Sequence, residues 1–198
     1  MATNRKPTAV IFAALTPDRW PDIEALFGRN GACGGCWCMW WRQTRDEFTR
    51  NHGDANRRAF KHIVESGVEP GLIAYRDGMP VGWCAVGPRE RCTGLARSPI
   101  LAPIDDQPVW SVTCFYIRAG HRRSGLGLAL LLEARRFVAA RGGRLIEGYP
   151  KVLRGRFPGA NSVWMGVATF AAAGFKEVAR RAPTRPIMRI AVRPARAK

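Results

Sequence analysis

The period of apolar positions changes several times along the 198 residues, and each change marks an element. Ala9–Leu15 is a short continuous apolar run and reads as a strand. Thr16, Pro17 and Asp18 then supply a cap, a proline for the first helical position and an early acid, and Trp20, Ile23, Leu26 and Phe27 give the helix one apolar face. Gly28–Arg42 is rich in glycine and cysteine and predicts a loop or a broken helix. Thr44 to Glu47 carries a capping-box pattern that opens a second helical region, interrupted at His52-Gly53 and running to about Glu65.

Two strand-like runs, Leu72–Tyr75 and Val81–Val86, flank Arg76-Asp77-Gly78-Met79-Pro80 and predict a hairpin. Pro88 to Pro108 holds four prolines and little periodicity, so it reads as a surface excursion. Val109–Ile117 is aromatic and β-branched enough for a buried central strand. A helix from about Ser124 to Arg141 follows, with Leu126, Leu130, Leu131, Ala134 and Val138 at helical spacing. A strand at Arg144–Tyr149, a loop at Pro150–Pro158, a short helix near Ser162–Ala172 and strands at Gly174–Arg181 and Pro186–Val192 complete the order. Residues 193–198 read as a frayed basic tail.

This order, with 46% apolar residues and no repeat or linker, predicts one α/β domain over residues 1–198. No run approaches the ~18 continuous apolar residues of a membrane span. Ala9–Leu15 lacks a cleavage site for a secretory leader, so the cytoplasm is the expected location. Six cysteines, three of them in Cys33-Gly34-Gly35-Cys36-Trp37-Cys38, do not have the spacing of a disulfide framework and predict reduced thiols.

The formal charge of +17 is unevenly placed: +2 over residues 1–117, +8 over 118–156 and +7 over 176–198. Such a late surplus suits a polyanionic small ligand, and it also attracts nucleic acid.

Candidate chemistry concentrates where the central strand breaks into Arg118-Ala119-Gly120-His121-Arg122-Arg123-Ser124-Gly125-Leu126-Gly127-Leu128. A strand, a turn rich in glycine and arginine and then a long amphipathic helix make an anion site, because first-turn N–H groups converge and the helix dipole favours negative charge. Gly125 and Gly127 are expected to let backbone approach phosphate oxygens, with charge from Arg122 and Arg123. Neither a nucleotide P-loop nor a Rossmann fingerprint is present.

Arg122, Gly125 and Gly127 match the pyrophosphate loop Arg/Gln-x-x-Gly-x-Gly/Ala, so the sequence resembles the GNAT superfamily of N-acetyltransferases. Phe170-Ala-Ala-Ala-Gly174-Phe175 is similar to that family's second cofactor-side motif. The resemblance implies a mixed, mostly antiparallel central sheet with a splayed strand pair, flanked by helices, and acetyl-CoA as acyl donor. It implies cofactor contacts from Phe115, Tyr116, Ile117, Arg122, Arg123, Ser124, Gly125, Leu126, Gly127, Leu128 and Phe170. The implied reaction is direct attack by a primary amine of a small molecule or protein.

Where the family often has tyrosine as an acid, this chain has Phe170, which leaves the acid unassigned. Tyr116 and Tyr149 lie on the two strands expected to flank the cleft. Glu147 is the base candidate, or else an ion-pair partner of an arginine. His121 reads as a phosphate contact or surface residue. The resemblance sets Trp37, Cys38, Met39, Trp40, Trp41 and Arg42 over the acceptor side as a pocket wall, suiting an acceptor with an apolar or ring portion. A zinc site or a thiol nucleophile at Cys33, Cys36 and Cys38 are alternatives, and no metal is assigned. The Gly35-Cys36-Trp37-Cys38 turn is similar to one in a subgroup of the family and names no substrate. Rival functions are an RNA- or ribosome-associated acyltransferase and a non-catalytic CoA-binding sensor. A homodimer is compatible with the family.

Overall fold

The computed structural model describes residues 9–152 and 165–193. Residues 153–164, which take in most of the expected loop at Pro150–Pro158 and the start of the expected helix at Ser162–Ala172, and residues 194–198 of the expected tail lie outside the described residues. The strands are β1 (Ile11–Ala14), β2 (Gly71–Arg76), β3 (Met79–Pro88), β4 (Trp110–Ile117), β5 (Leu145–Gly148), β6 (Lys176–Arg180) and β7 (Pro186–Ala191). The helices are α1 (Trp20–Phe27), α2 (Arg45–Arg50), α3 (Asp54–Glu65), α4 (Thr93–Ala96), α5 (Leu126–Ala140) and α6 (Val167–Ala172). All seven strands form one open sheet in the order β1-β2-β3-β4-β5-β7-β6, antiparallel throughout except for β4 and β5.

Local signals account for much of this. Thr44 and Glu47 exchange both bonds of a capping box at the start of α2. Asp77 and Gly78 both take positive φ, as the tight turn joining β2 to β3 requires. Thr16 does not cap α1; the chain first makes a single 3-10 turn at Pro17–Arg19, and the Thr16 hydroxyl accepts instead from Arg19. The excursion at 88–108 contains the short helix α4.

Two cores lie on opposite faces of the sheet. Leu126, Leu130, Leu131 and Val138 of α5 pack over β3, β4 and β5 together with Phe170 and Phe175. On the other face, Trp20, Ile23 and Phe27 of α1 and Phe60 of α3 enclose Trp83, and the rings of Phe27 and Phe60 each lie 6.0 Å from it.

The register of β4 is broken once. Ala85 pairs with Cys114 and Val86 with Val112, so Thr113 is an extra residue opposite β3. Alternation therefore changes phase: Val112, Phe115 and Ile117 all face α5, while Cys114 and Tyr116 face α1. β5 pairs with β4 at Trp110, Ser111 and Val112 and ends at Gly148, so among the described residues the edge of β4 from Thr113 to Tyr116 has no strand partner on that side.

Gly148 sits against Phe170, where an added Cβ would fall 2.1 Å from the ring. Gly148→Ala is expected to lower the free energy of unfolding by about 1–3 kcal/mol, measured by urea denaturation. Gly87→Ala, whose methyl would meet nothing within 4 Å, is expected to leave the midpoint unchanged.

Candidate functional site

At the end of β4 the chain folds into a compact turn. Arg122 Nε donates to the Ile117 carbonyl at 3.0 Å, Ser124 Oγ donates to the His121 carbonyl at 2.6 Å, and the His121 N–H donates to the Arg118 carbonyl at 3.1 Å. Gly120, Arg123 and Gly125 hold positive φ, which coils the backbone tightly before α5 begins. No side chain caps α5, and its first helical bond runs from the Ala129 N–H to the Gly125 carbonyl. The N–H groups of residues 125–128 are therefore the free donors of the first turn.

This turn fits a polyanion. Nothing lies within 4 Å of a Cβ built on Gly125 or Gly120, so the approach is open. The buried Nδ1 of His121 has no hydrogen-bond partner, and Arg123 and Ser124 are exposed beside it. Gly127 has a different reason from the one expected: its Cβ would lie 2.3 Å from the Met165 side chain, so glycine there permits packing rather than ligand approach. The side chains of Leu126, Phe115 and Ile117 are core, and Leu128 packs against that core, so only their backbone can face a ligand. Phe170 is also core, edge-on to Phe115 and Phe175 at 6.1 and 5.0 Å.

Three cavities follow the α1 face of β4. One of about 290 Å³ is floored by Thr113 and Cys114, at the bulge, and walled by Cys33, Cys36, Cys38, Trp40, Trp41 and Phe48. A second, of about 390 Å³, is bounded by Tyr116 and Arg122 and shares Ala32 with the first. A third, of about 300 Å³, shares Trp40, Trp41 and Phe48 with the first and adds Gln43, Arg45 and Arg97. Trp40 is 42% exposed and packs edge-on to Trp41 and Phe48 at 6.3 and 5.0 Å.

The wall segment is held in an unusual conformation. Trp37 and Cys38, neither of them glycine, both have positive φ, and the Met39 N–H closes the turn on the Cys36 carbonyl at 2.9 Å. Asn56 Nδ2 donates to the Gly35 carbonyl at 3.2 Å and the Gly53 N–H donates to it at 3.1 Å, which ties the loop to the start of α3.

The reversal turns Trp37 inward, stacked on Trp20 at 6.1 Å, so of the expected wall Trp37 and Met39 are core while Cys38, Trp40 and Trp41 line the cavity. Cys38 Sγ accepts from the Trp83 indole N–H at 3.0 Å. The neighbouring Cys114 thiol holds the Cys38 thiol below its usual range, helped by Trp83 and by the Arg42 charge. The Cys114 thiol is correspondingly pushed well up, and burial raises Cys36 to about 11. Among the described residues there is no disulfide and no cluster able to hold a metal ion.

Glu147 and Tyr149 come together, but with each other and away from these cavities. Glu147 is wholly buried. One of its oxygens is bonded to Arg89 and receives the Tyr149 hydroxyl at 2.6 Å, while the other receives Arg189 Nε at 2.7 Å. Ser111 Oγ lies 2.9 Å from the Tyr149 oxygen, Arg89 also donates to the Leu101 carbonyl at 2.6 Å, and Arg189 grips Asp105 with two bonds of 2.6 and 3.0 Å. Burial, with the Glu147 charge beside it, pushes the Tyr149 hydroxyl well up. The ion-pair alternative for Glu147 is thus what the geometry shows. Arg89, Asp105, Arg189 and Thr113 escaped sequence reasoning. Their only signals were the rarity of acids late in the chain and a β-branched residue in a strand apolar on both faces.

No curated protein matches the sequence. Among solved structures, an acetyltransferase of the GNAT family from Streptococcus pneumoniae is similar over 93% of this chain and 99% of its own, at 13% identity and a TM-score of 0.55. PaiA N-acetyltransferase from Thermoplasma acidophilum, in complex with coenzyme A, is similar over 92% and 99%, at 12% identity and a TM-score of 0.52. The protein yncA from Salmonella typhimurium, with its cofactor acetyl-CoA, is similar over 96% and 97%, at 14% identity and a TM-score of 0.53. At these identities the likeness is one of fold. The Acetyltransferase (GNAT) family model matches residues 37–148, more than half of the sequence, from Trp37 through α5 to the end of β5, and the chain belongs to that family.

Proposed function

We propose that the protein is an N-acetyltransferase that takes acetyl from acetyl-CoA and delivers it to a primary amine. The observation that carries this reading is the continuity of three features on one strand. The uncapped start of α5, the edge of β4 from Thr113 to Tyr116 that has no strand partner among the described residues, and the cavity floored by Thr113 and Cys114 follow one another from the bulge to the helix start. The N–H groups of residues 125–128, with His121 and Arg123 beside them, hold the pyrophosphate. The β4 edge pairs with the amides of the pantetheine arm. Bound acetyl-CoA supplies an activated thioester, and the residues at the bulge orient it and shield it from water.

The acceptor enters from the side of Trp40, Trp41 and Phe48. Their rings suit an amine with an apolar or ring-shaped body, and Arg45 and Arg97 at the outer cavity suit a polar or anionic far end. Among the described residues, no carboxylate or histidine lines the cavity at the bulge. Glu147 acts as the shared counter-ion of Arg89 and Arg189, fixing the excursion to the sheet. The basic surface seen in the sequence serves the polyanionic donor in this reading.

Acetyl-CoA is expected to raise the thermal midpoint of the wild type, by the equivalent of about 2.7 kcal/mol at a hundred times Kd. Gly125→Glu is expected to remove that shift while remaining folded, and an unchanged wild-type midpoint would overturn the reading. On a broad amine panel, turnover should favour ring-bearing acceptors; preference for small, fully polar amines would count against the aromatic wall as the acceptor site. Glu147→Gln leaves the Arg89 guanidinium without its carboxylate, while Arg189 keeps Asp105, and is expected to destabilise by about 3–5 kcal/mol in thermal or urea unfolding. The surviving folded fraction should still respond to acetyl-CoA.

A further inference from the structure

The outer of the two cavities at Trp40 and Trp41 exists because the excursion after β3 folds back onto the loop between those rings and α2. The Gly94 N–H of α4 donates to the Trp41 carbonyl at 2.9 Å, and a Cβ on Gly94 would stand 3.1 Å from the Trp41 backbone. Just beyond α4, Arg97 Nη2 donates to the Gln43 carbonyl at 3.0 Å and to Thr93 Oγ1 at 3.3 Å. Leu95, between these two tethers, is wholly buried, and Arg89 bonds the excursion to Glu147 and to the Leu101 carbonyl. Arg97 thus reaches the cavity from a fixed support. Arg45, the first residue of α2, lines the same cavity.

The charges at this end are of one sign. No acid lines this cavity or the one at the bulge, which adjoins it across Trp40, Trp41 and Phe48. Among the described residues neither Arg45 nor Arg97 forms an ion pair. Arg97 and Glu47 act on each other through space, but Glu47 Oε2 is taken by the Thr44 N–H at 2.7 Å in the capping box. Gln43, in the same lining, has a buried Oε1 without a hydrogen-bond partner. Such an orphaned amide is uncommon in a folded protein, and a terminal amide presents either its oxygen or its NH2 to a given point. A second ammonium on the acceptor would enter a space that already holds two guanidiniums and no carboxylate, whereas an anion would neutralise them. The planar guanidinium fork matches the oxygens of a carboxylate or a phosphate.

We propose that the outer cavity is an anion subsite for the acceptor, so that the protein acetylates amines that carry a carboxylate or phosphate group across an apolar or ring-shaped body from the nitrogen. The inference rests on the acetyl-CoA reading above and names the substrate class of that same site. The amine end lies toward Thr113 and Cys114, the body lies among Trp40, Trp41 and Phe48, and the anion meets Arg97, Arg45 and the Gln43 amide. Arg97 and Arg45 are specificity-determining residues. Arg97 comes from the excursion, which contributes nothing to the turn at the start of α5, so acceptor choice and donor binding are carried by separate segments.

The experiment assays the purified full chain with acetyl-CoA against a set of arylalkylamines, each in four forms: unsubstituted, or bearing a carboxylate, a phosphonate or a second aminomethyl group on the ring position remote from the amine. The anionic forms are expected to exceed the unsubstituted parent in kcat/KM by at least about ten-fold, mainly through KM, and the diamine to fall below the parent. Whichever anion leads identifies the group. Because both arginines are exposed, KM for the anionic amines should rise with salt while that of the parent stays level.

Arg45→Gln removes a side chain that pairs with no acid, and Arg97→Gln keeps an amide to donate to the Gln43 carbonyl, so both variants are expected to fold. Each should raise KM for the anionic amine about five-fold and leave both turnover of the parent amine and the acetyl-CoA midpoint shift unchanged. Equal turnover of parent and anionic forms, preference for the diamine, or no turnover of any anionic form while acetyl-CoA still raises the midpoint overturns the subsite and leaves the cofactor reading intact. Folded variants that both keep the wild-type preference for the anionic amine also sink it. Absence of the midpoint response in the wild type overturns the cofactor reading and the subsite with it.

Discussion

The extra residue in β4 governs the geometry of the site. In a regular strand with no bulge, Val112, Cys114 and Tyr116 would share one face of the sheet and Thr113, Phe115 and Ile117 the other. With it, Val112, Phe115 and Ile117 all enter the core beneath α5, and Cys114 and Tyr116 open onto the cavities beneath α1. The same position marks where pairing with β5 stops, so one irregularity frees a backbone edge and presents a floor for the cavity. A bulge leaves its extra residue out of the ladder, a local cost that burial on both faces of the strand offsets.

How much of this was readable before the fold was known depended on whether the signal was local. The turn from Arg118 to Gly125 announced itself, because positive φ and an uncapped helix start both call for glycine within a few residues. The capping box at Thr44 and the turn at Asp77-Gly78 were legible for the same reason. The phase change at Thr113 was not, since every residue from Val109 to Ile117 fits a strand buried on both faces and the slip is defined only against β3. Glu147 was singled out correctly as unusual, but its partners come from positions 89 and 189, far apart in sequence, and no local pattern distinguishes a counter-ion from a base. Trp37 pointed inward because two consecutive left-handed residues reversed the chain, which aromatic content alone does not reveal.

The thiol-rich loop illustrates how a strained segment persists. Two non-glycine residues at positive φ cost on the order of 1–3 kcal/mol each. Against this stand the stack of Trp37 on Trp20, the close backing of Trp37 by Gly31, the bonds from Asn56 and Gly53 to Gly35, and the Trp83 bond to Cys38. Trp20, Asn56 and Trp83 belong to α1, α3 and β3, so the loop's shape is set in large part by the scaffold beneath it.

The buried group around Glu147 has a consequence for how sequences of this kind can diverge. One carboxylate serves two guanidiniums, one from the excursion after β3 and one from β7; either arginine can be lost while the other still pairs with Glu147, but losing the carboxylate alone strands Arg89, because Arg189 keeps Asp105. Drift at position 147 is therefore tied most tightly to drift at 89. Homologues that lose the acid at 147 should lose the arginine at 89 with it, while the arginine at 189 can stay with its partner at 105.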